Sequence, residues 1–347
     1  MPFYKTNVLY KTFLIFLIGV SLIIISACND SNKSKNTTIQ GTPAELLKLN
    51  KQINEKTNDP DLYYLRAEYF FKNEKFNEAL NDINKAIGFD KKMNYYILLS
   101  DIYLMSGKTK EANTLLLNTI DKFPQEIMPV LRIARLYLVI KEYSKAFIYL
   151  NKAHTMDKNN AEAFFLQGLA FLETGDTSKA IINYQTTVEK DQNHFEAYMQ
   201  LGDLFALKKS KLAPAYYDNA LRINPQSIEA LYAKGFFCQE NSMENKAIDA
   251  YKRIIAIDPN YKYAYFNIGY INLVYLINFS EAITYFDKAI QKDPKYYEAW
   301  FNKGYANELI GNYPNARKAY EEALKIEINY SNAIQGLNRL DELQKNK

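Results

Sequence analysis

The sequence predicts an all-α protein built from a repeated pair of helices, and three observations predict it. The first is a small residue that returns at a near-fixed interval. Ala79, Ala112, Ala146, Ala180, Ala213, Ala247, Ala282 and Ala316 follow one another at spacings of 33 to 35 residues. The second is another small series in phase with it: Ala67, Ser100, Ala134, Gly168, Gly202, Gly235, Gly269 and Gly304. Helices that cross closely need small side chains where they touch, because a larger one forces them apart or off-rotamer at ~1–3 kcal/mol. The third is punctuation. Only 12 glycines and 10 prolines occur in 347 residues, and Pro124, Pro225, Pro259 and Pro294 fall where the second helix of a pair should stop. A single compact core nears its limit at this length, whereas repeats need only cover their neighbours.

The unit is plainest between Tyr297 and Tyr330. A first helical pattern carries Ala299, Trp300, Lys303, Gly304 and Asn307. A turn follows at Gly311-Asn312-Tyr313, with Pro314 in the first turn of the next helix. That helix carries Ala316, Ala319, Tyr320, Ala323 and Leu324. The length of about 34 residues and the order Trp-x3-Gly…Gly-x-Tyr…Ala-x3-Tyr-x2-Ala resemble the tetratricopeptide repeat. The resemblance covers residues 60–330. It implies eight helix-turn-helix repeats stacked as a right-handed superhelical solenoid with capping helices at its ends.

Taken in order, residues 1–27 read as a signal peptide: Lys5 and Lys11 give a basic start, and Phe13 to Ile25 an apolar core. That core is short for a membrane span of ~20 residues. The Ile25-Ser26-Ala27-Cys28 that follows resembles a bacterial lipobox. The resemblance implies lipidation of Cys28 as the first mature residue, with palmitate among its acyl chains. More than one chain gives stable anchoring. Asn29 after the cysteine points, by the familiar sorting rule, to the outer membrane and to the periplasmic or extracytoplasmic side. Residues 28–42, polar and aperiodic, read as a flexible tether. Residues 43–58 read as an N-terminal capping helix, with Leu46, Leu47, Leu49 and Ile53 on its apolar side. Residues 59–330 hold the eight repeats. The fifth is one residue short near Lys208–Lys211, and the seventh is one long in Val274–Phe279 and lacks the turn glycine. Residues 331–347 read as a C-terminal capping helix and tail, apolar at Ala333, Leu337 and Leu340.

Composition argues against several functions. The net charge of +4 falls to +2 once Lys5 and Lys11 are removed, and no long basic block occurs, so nucleic acid is not an expected partner. His154 and His194 stand 40 residues apart, without metal-ligand spacing. No glycine-rich phosphate loop or Gly-x-Ser-x-Gly elbow is present. Neither an enzyme nor a small-molecule cofactor is expected. Cys238 occupies a helix position held elsewhere by Tyr103, Tyr137 and Phe171, which suits a buried thiol.

In the tetratricopeptide repeat family the first helices line a concave groove through set positions. The fifth and ninth positions of the last three repeats are all aromatic: Tyr232 with Phe236, Phe266 with Tyr270, Phe301 with Tyr305. The sixth positions Asn267 and Asn302 match asparagines that bind a peptide backbone in some family members. No first helix pairs lysine at the fifth position with asparagine at the ninth, which disfavours a clamp for a free carboxyl terminus. The expected function is therefore a membrane-anchored scaffold that holds protein or peptide partners, in envelope or secretion-complex assembly. The alternative is a glycan or cell-wall module stacking sugars on the aromatic ladder, against which 29 tyrosines to one tryptophan argue mildly.

Overall fold

The structure is a computed structural model that describes residues 44–345. The calls on Cys28, on the signal peptide and on the tether lie outside these residues. The described residues are helical throughout, with no strand. Helix α1 (Ala44–Glu55) comes first, and eight pairs follow. They are α2 (Pro60–Lys72) with α3 (Phe76–Phe89), α4 (Met93–Met105) with α5 (Thr109–Lys122), and α6 (Ile127–Val139) with α7 (Tyr143–Met156). Next are α8 (Ala161–Glu173) with α9 (Thr177–Lys190), and α10 (Phe195–Leu207) with α11 (Ala213–Ile223). The last are α12 (Ile228–Glu240) with α13 (Glu244–Ile257), α14 (Lys262–Val274) with α15 (Phe279–Lys292), and α16 (Tyr297–Leu309) with α17 (Tyr313–Ile326). Helix α18 (Ser331–Lys345) closes the series. The chain divides into two compact units, one ending at Lys190 and one beginning at Asp191.

The helix ends follow from local chemistry. Asp59, Asn160, His194 and Ser227 each precede a first helix, and their side chains accept a hydrogen bond from its first-turn N–H groups. His194 is thereby a cap, accepting from the Ala197 amide at 3.2 Å. Within each pair one turn residue adopts positive φ. Glycine does so only at Gly107, Gly175 and Gly311; Glu74, Lys141, Lys209, Ser242 and Ile277 fill the other five turns. The eight fall at spacings of 33 to 35 residues, like the alanines. The long turn of the seventh repeat is therefore not exempt: Ile277, β-branched, takes φ 53° there, a position that disfavours a branched side chain.

Both small series are buried where the helices of a pair meet, and their partners differ in a regular way. All eight alanines of the second helices are fully buried. Opposite the first-helix series stands one large buried residue from the second helix of the same pair. A Cβ added at Gly168, Gly202, Gly235, Gly269 or Gly304 would lie 2.5–3.0 Å from a ring carbon of Tyr184, Tyr217, Tyr251, Phe286 or Tyr320 respectively. Where the first helix instead has Ala67, Ser100 or Ala134, the corresponding second-helix residue is Ile83, Leu116 or Leu150. Glycine goes with a ring and a larger small residue with an aliphatic. The glycine thus makes room for a ring, in addition to the close helix approach that the sequence suggests; at Gly269 and Gly304 a second-helix carbonyl oxygen also comes within 3.3 Å.

The flanking helices are fixed by charge as well as apolar contact. Arg66 in α2 donates through Nε and Nη2 to the buried Asp82 of α3 at 2.6 and 2.8 Å, and through Nη1 to Asn50 of α1 at 2.7 Å. At the other end Arg339 of α18 donates twice to Glu308 of α16, at 2.8 and 2.9 Å. Such bidentate pairs fix orientation as well as proximity. Gly336 of α18 lies against the far edge of the Tyr320 ring, which Gly304 meets from the other side.

Candidate functional site

In the second unit the first helices α10, α12, α14 and α16 rest on the buried rings Tyr217, Tyr251, Phe286 and Tyr320. On the last three of those rings sits the fifth-position ring of the same repeat. Tyr232 meets Tyr251 edge-on at 6.0 Å between centroids, Phe266 meets Phe286 at 5.7 Å, and Phe301 stacks on Tyr320 at 5.7 Å. A tyrosine at the head of the following first helix closes over each from the other side: Tyr261 on Tyr232 at 6.2 Å, Tyr296 on Phe266 at 5.0 Å, and Tyr330 on Phe301 at 5.4 Å. The motif is thus three rings deep and is built three times. Aromatic contacts at these separations add ~0.5–1.5 kcal/mol each beyond area burial.

This arrangement changes the weight of the sequence candidates. Tyr232, Phe266 and Phe301 are half-buried middle rings that hold adjacent repeats together. Ninth-position rings lie one helical turn further along the same helix faces. Phe236 is 43% exposed and Tyr305 36% exposed, while Tyr270 is half-buried. Tyr270 stacks on Phe266 at 6.4 Å and Tyr305 on Phe301 at 6.3 Å, so the ninth-position ring covers part of the fifth. The exposed aromatic edge belongs chiefly to Phe236, Tyr270 and Tyr305.

Of the two asparagines, Asn302 needs correcting as a backbone-binding group. Asn302 is buried, 8% exposed, and its Nδ2 donates to the Glu298 carbonyl of its own helix at 2.7 Å. Helix packing has turned the amide inward, so it does not face the surface. Asn267 is half-buried, and its Nδ2 is shielded from water beside the hydroxyls of Tyr232 and Tyr251 with no acceptor at bonding geometry. The boundary tyrosines Tyr261, Tyr296 and Tyr330 were missed. Their recurrence ahead of three successive first helices was the available signal.

Charge is distributed unevenly over the first helices. In the first unit, ninth-position groups are paired. Glu68 accepts from the Tyr64 hydroxyl at 2.6 Å, Asp101 lies 3.8 Å from Arg132, and Arg135 donates to Glu162 at the second position of the next repeat. In the second unit, the ninth-position Asp203 and the second-position Glu229 occupy the slot that Arg135 and Glu162 occupy in the first. Asp203 accepts from the Tyr217 hydroxyl at 2.8 Å. Burial lifts its carboxyl to about 6 against the pull of that hydroxyl. Partial desolvation, then the charges of Asp203 and Glu196, push Glu229 upward too. Its side chain is exposed, so water tempers that shift. Among the described residues no group of His, Cys, Asp and Glu is arranged to hold a metal ion, and no helix is long and apolar enough to cross a membrane. Cys238 is fully buried, and burial raises its thiol.

Comparison with known proteins agrees with this architecture. The tetratricopeptide repeat family profile matches residues 165–228 and 271–333. The C-terminal part of a TPR repeat-containing protein from Cytophaga hutchinsonii superposes with a TM-score of 0.59 at 22% identity, covering 71% of this chain and 99% of that one. Anaphase-promoting complex subunit 3 of Schizosaccharomyces pombe is 22% identical over 213 residues, 61% of this chain and 27% of that protein. Protein O-mannosyl-transferase TMTC1 of Mus musculus is 24% identical over 136 residues, 38% of this chain and 14% of that protein. The chain therefore spans well under half the length of these two relatives. The repeat periodicity, the paired helices and the family profile over residues 165–228 and 271–333 agree on a tetratricopeptide repeat fold for this chain.

Proposed function

We propose that this protein is a non-catalytic interaction scaffold that holds protein or peptide segments on the first-helix face of its second unit. The observation that carries the reading is the exposure of Phe236 and Tyr305, with half-buried Tyr270, and the stacking of Tyr270 and Tyr305 on the rings of Phe266 and Phe301. Rigid aromatic rings lose little rotamer entropy on contact, which is why they dominate binding hot spots. The scaffold works from a membrane: the lipobox-like Ile25-Ser26-Ala27-Cys28 would acylate Cys28, and residues 28–42 would tether the repeats on the extracytoplasmic side of a bacterial envelope. Its role there is assembly, of envelope or secretion complexes, by holding one protein near another.

The test is capture from an envelope extract by the chain from residue 29 onward, compared with the same chain carrying Phe236→Ser and Tyr270→Ser. A defined set of proteins recovered by the first and lost by the second, at equal helicity, supports the reading. Identical recovery by both removes the face from consideration. Anchoring is read separately, by fractionation and acyl labelling of full-length protein and Cys28→Ser; an unlabelled wild type sinks that part of the proposal alone.

A further inference from the structure

We infer that the second-helix side of the second unit holds a binding cleft for a phosphate monoester carried on a ring or another apolar group. The cleft lies between α13 and α15 and has a volume of about 370 Å³, within the ~300–1,000 Å³ of small-molecule sites. Ile255 of α13, Tyr265 of α14 and Tyr285 of α15 give it apolar walls, and Lys252, Lys288 and Lys292 bring three ammonium groups to it. Lys252 and Lys288 are exposed and Lys292 is half-buried. The Lys288 Nζ stands 4.6 Å from the centre of the Tyr285 ring, and the Lys292 Nζ reaches the Asn260 Oδ1 at 3.4 Å. The carboxylates next to them on α15 are engaged elsewhere, Asp287 with Lys303 at 2.6 Å and Asp293 with Lys262. Among the described residues no carboxylate forms an ion pair with Lys252, Lys288 or Lys292.

The repeats on either side show what this register ordinarily holds. Five residues after the recurring alanine, Asp218 of α11 pairs with Lys234 of α12 at 2.6 Å, and Asp287 of α15 pairs with Lys303 of α16 at the same distance. Both lysines are seventh in the following first helix. In the repeat between them the acid is replaced by Lys252 and the lysine by the buried Ile268. The ion pair between repeats is lost there, and the charge that remains is reversed and set beside two more lysines from the next second helix. Like charges gathered round one cleft repel, and an anion seated among them removes the repulsion. Ammonium groups act on an oxyanion as point charges from several directions, which suits phosphate. A phosphate monoester carries ~1.5–2 negative charges near neutral pH, more than a carboxylate, and so gains most from three cations. The rings of Tyr265 and Tyr285, with Ile255, give its apolar group a surface to pack on.

Phenyl phosphate is the probe, titrated calorimetrically at low ionic strength into the chain from residue 29 onward. Saturable binding is expected, about fivefold or more tighter than that of benzoate, which keeps the ring but carries less charge. Lys252→Gln with Lys288→Gln should weaken it about tenfold or more. Lys246→Gln with Lys318→Gln, the same change in net charge at other exposed positions, should alter it less than about twofold. All four lysines are exposed, so both variants are expected to fold, and circular dichroism checks that they do. Flotation with phosphatidic acid vesicles tells the ester's source. Capture that phenyl phosphate competes away and the Lys252–Lys288 variant lacks assigns a lipid headgroup; phenyl phosphate binding without flotation assigns a soluble ester. No saturable binding, equal affinity for benzoate, or equal losses from the two lysine pairs would overturn the inference. The cleft does not depend on the aromatic face of the first helices: Phe236→Ser with Tyr270→Ser should leave phenyl phosphate affinity unchanged, and a loss there would also count against the placement.

Discussion

The glycine–ring correspondence gives the sharpest test of how this chain packs. An added Cβ at Gly168 would lie 2.6 Å from Cε1 and 2.7 Å from Cδ1 of Tyr184. Carbon atoms rest at ~3.5–4.0 Å, so the ring would have to retreat by about an ångström. Tyr184 is fully buried and packs against Phe165 at 5.7 Å, leaving no flexible end to swing aside. Gly168→Ala should therefore suffer overpacking of ~1–3 kcal/mol, offset by ~1 kcal/mol of helix propensity. The single variant is a poor discriminator because the two effects oppose. The coupled variant is decisive. Tyr184→Leu recreates the Ala134–Leu150 arrangement of the preceding pair once Gly168→Ala is added. It also removes a buried hydroxyl that has no hydrogen-bond partner. Alone it should destabilise by ~1–3 kcal/mol through the space it leaves. On that background Gly168→Ala should become stabilising, giving a favourable coupling of ~1–3 kcal/mol. The measurement is a double-mutant cycle by urea unfolding, with hydrogen exchange of α8 and α9 as the local reading, since repeat arrays unfold in parts. Equal effects of Gly168→Ala on both backgrounds would refute the reasoning.

Three further outcomes follow from particular contacts. Ile277 is 67% exposed at φ 53°, so Ile277→Gly sacrifices little burial and relieves ~1 kcal/mol of backbone strain; an unchanged or lowered melting temperature would contradict it. Asp82→Ala strands Arg66 without its buried partner, and a loss of ~3 kcal/mol with faster exchange in α1, which Asn50 ties to the same arginine, is expected; protection of α1 at wild-type level counts against that tie. Asp203 has a folded pKa of about 6 against an ordinary 3.8, so its protonated form favours the fold: its burden is absent below about pH 4 and fully felt above about pH 6. Asp203→Asn should then stabilise the second unit by up to ~3 kcal/mol at pH 7.5 and by less than ~1 kcal/mol at pH 4, and a pH-independent difference would show that the carboxyl, with the Tyr217 hydroxyl bonded to it and Glu229 near it, is not what titrates.

Much of the fold was legible because it repeats. One alanine proves little, but a small residue returning at constant spacing marks a helix crossing, and all eight alanines are buried. The relation between the two series was equally present in the letters, yet it needs the fold to be seen. Gly168 and Tyr184 are 16 residues apart, Gly202 and Tyr217 only 15, and Gly269 and Phe286 are 17. Turn length shifts that spacing, and although the ring always stands four residues after the recurring alanine, that interval does not say which first-helix residue it faces. Turn chemistry misled for a related reason. Glycine is the cheapest residue at positive φ but not the only one, and once packed helices fix both ends of a turn, Lys141 or even Ile277 is held there.

The site was legible in kind and not in detail, and the reason is geometric. Helical spacing says that positions five and nine share a face, and they do. It does not say how deep that face lies. Depth comes from the neighbours: a buried ring beneath and a boundary tyrosine beside place Phe266 and Phe301 in the middle of a stack, whereas Phe236 has a free edge. Asn302 illustrates the same limit. Its side chain is short enough to reach back to the Glu298 carbonyl, and on a crowded face that local bond wins over pointing outward. The lysines escaped notice because each is ordinary by itself. Lys252 lies on one repeat and Lys288 on the next, and only stacking brings them to one cleft, with Lys252 where the neighbouring repeats have an acid. A repeat protein gains specificity in this way: the scaffold residues recur, and what a partner can recognise is where the recurrence breaks.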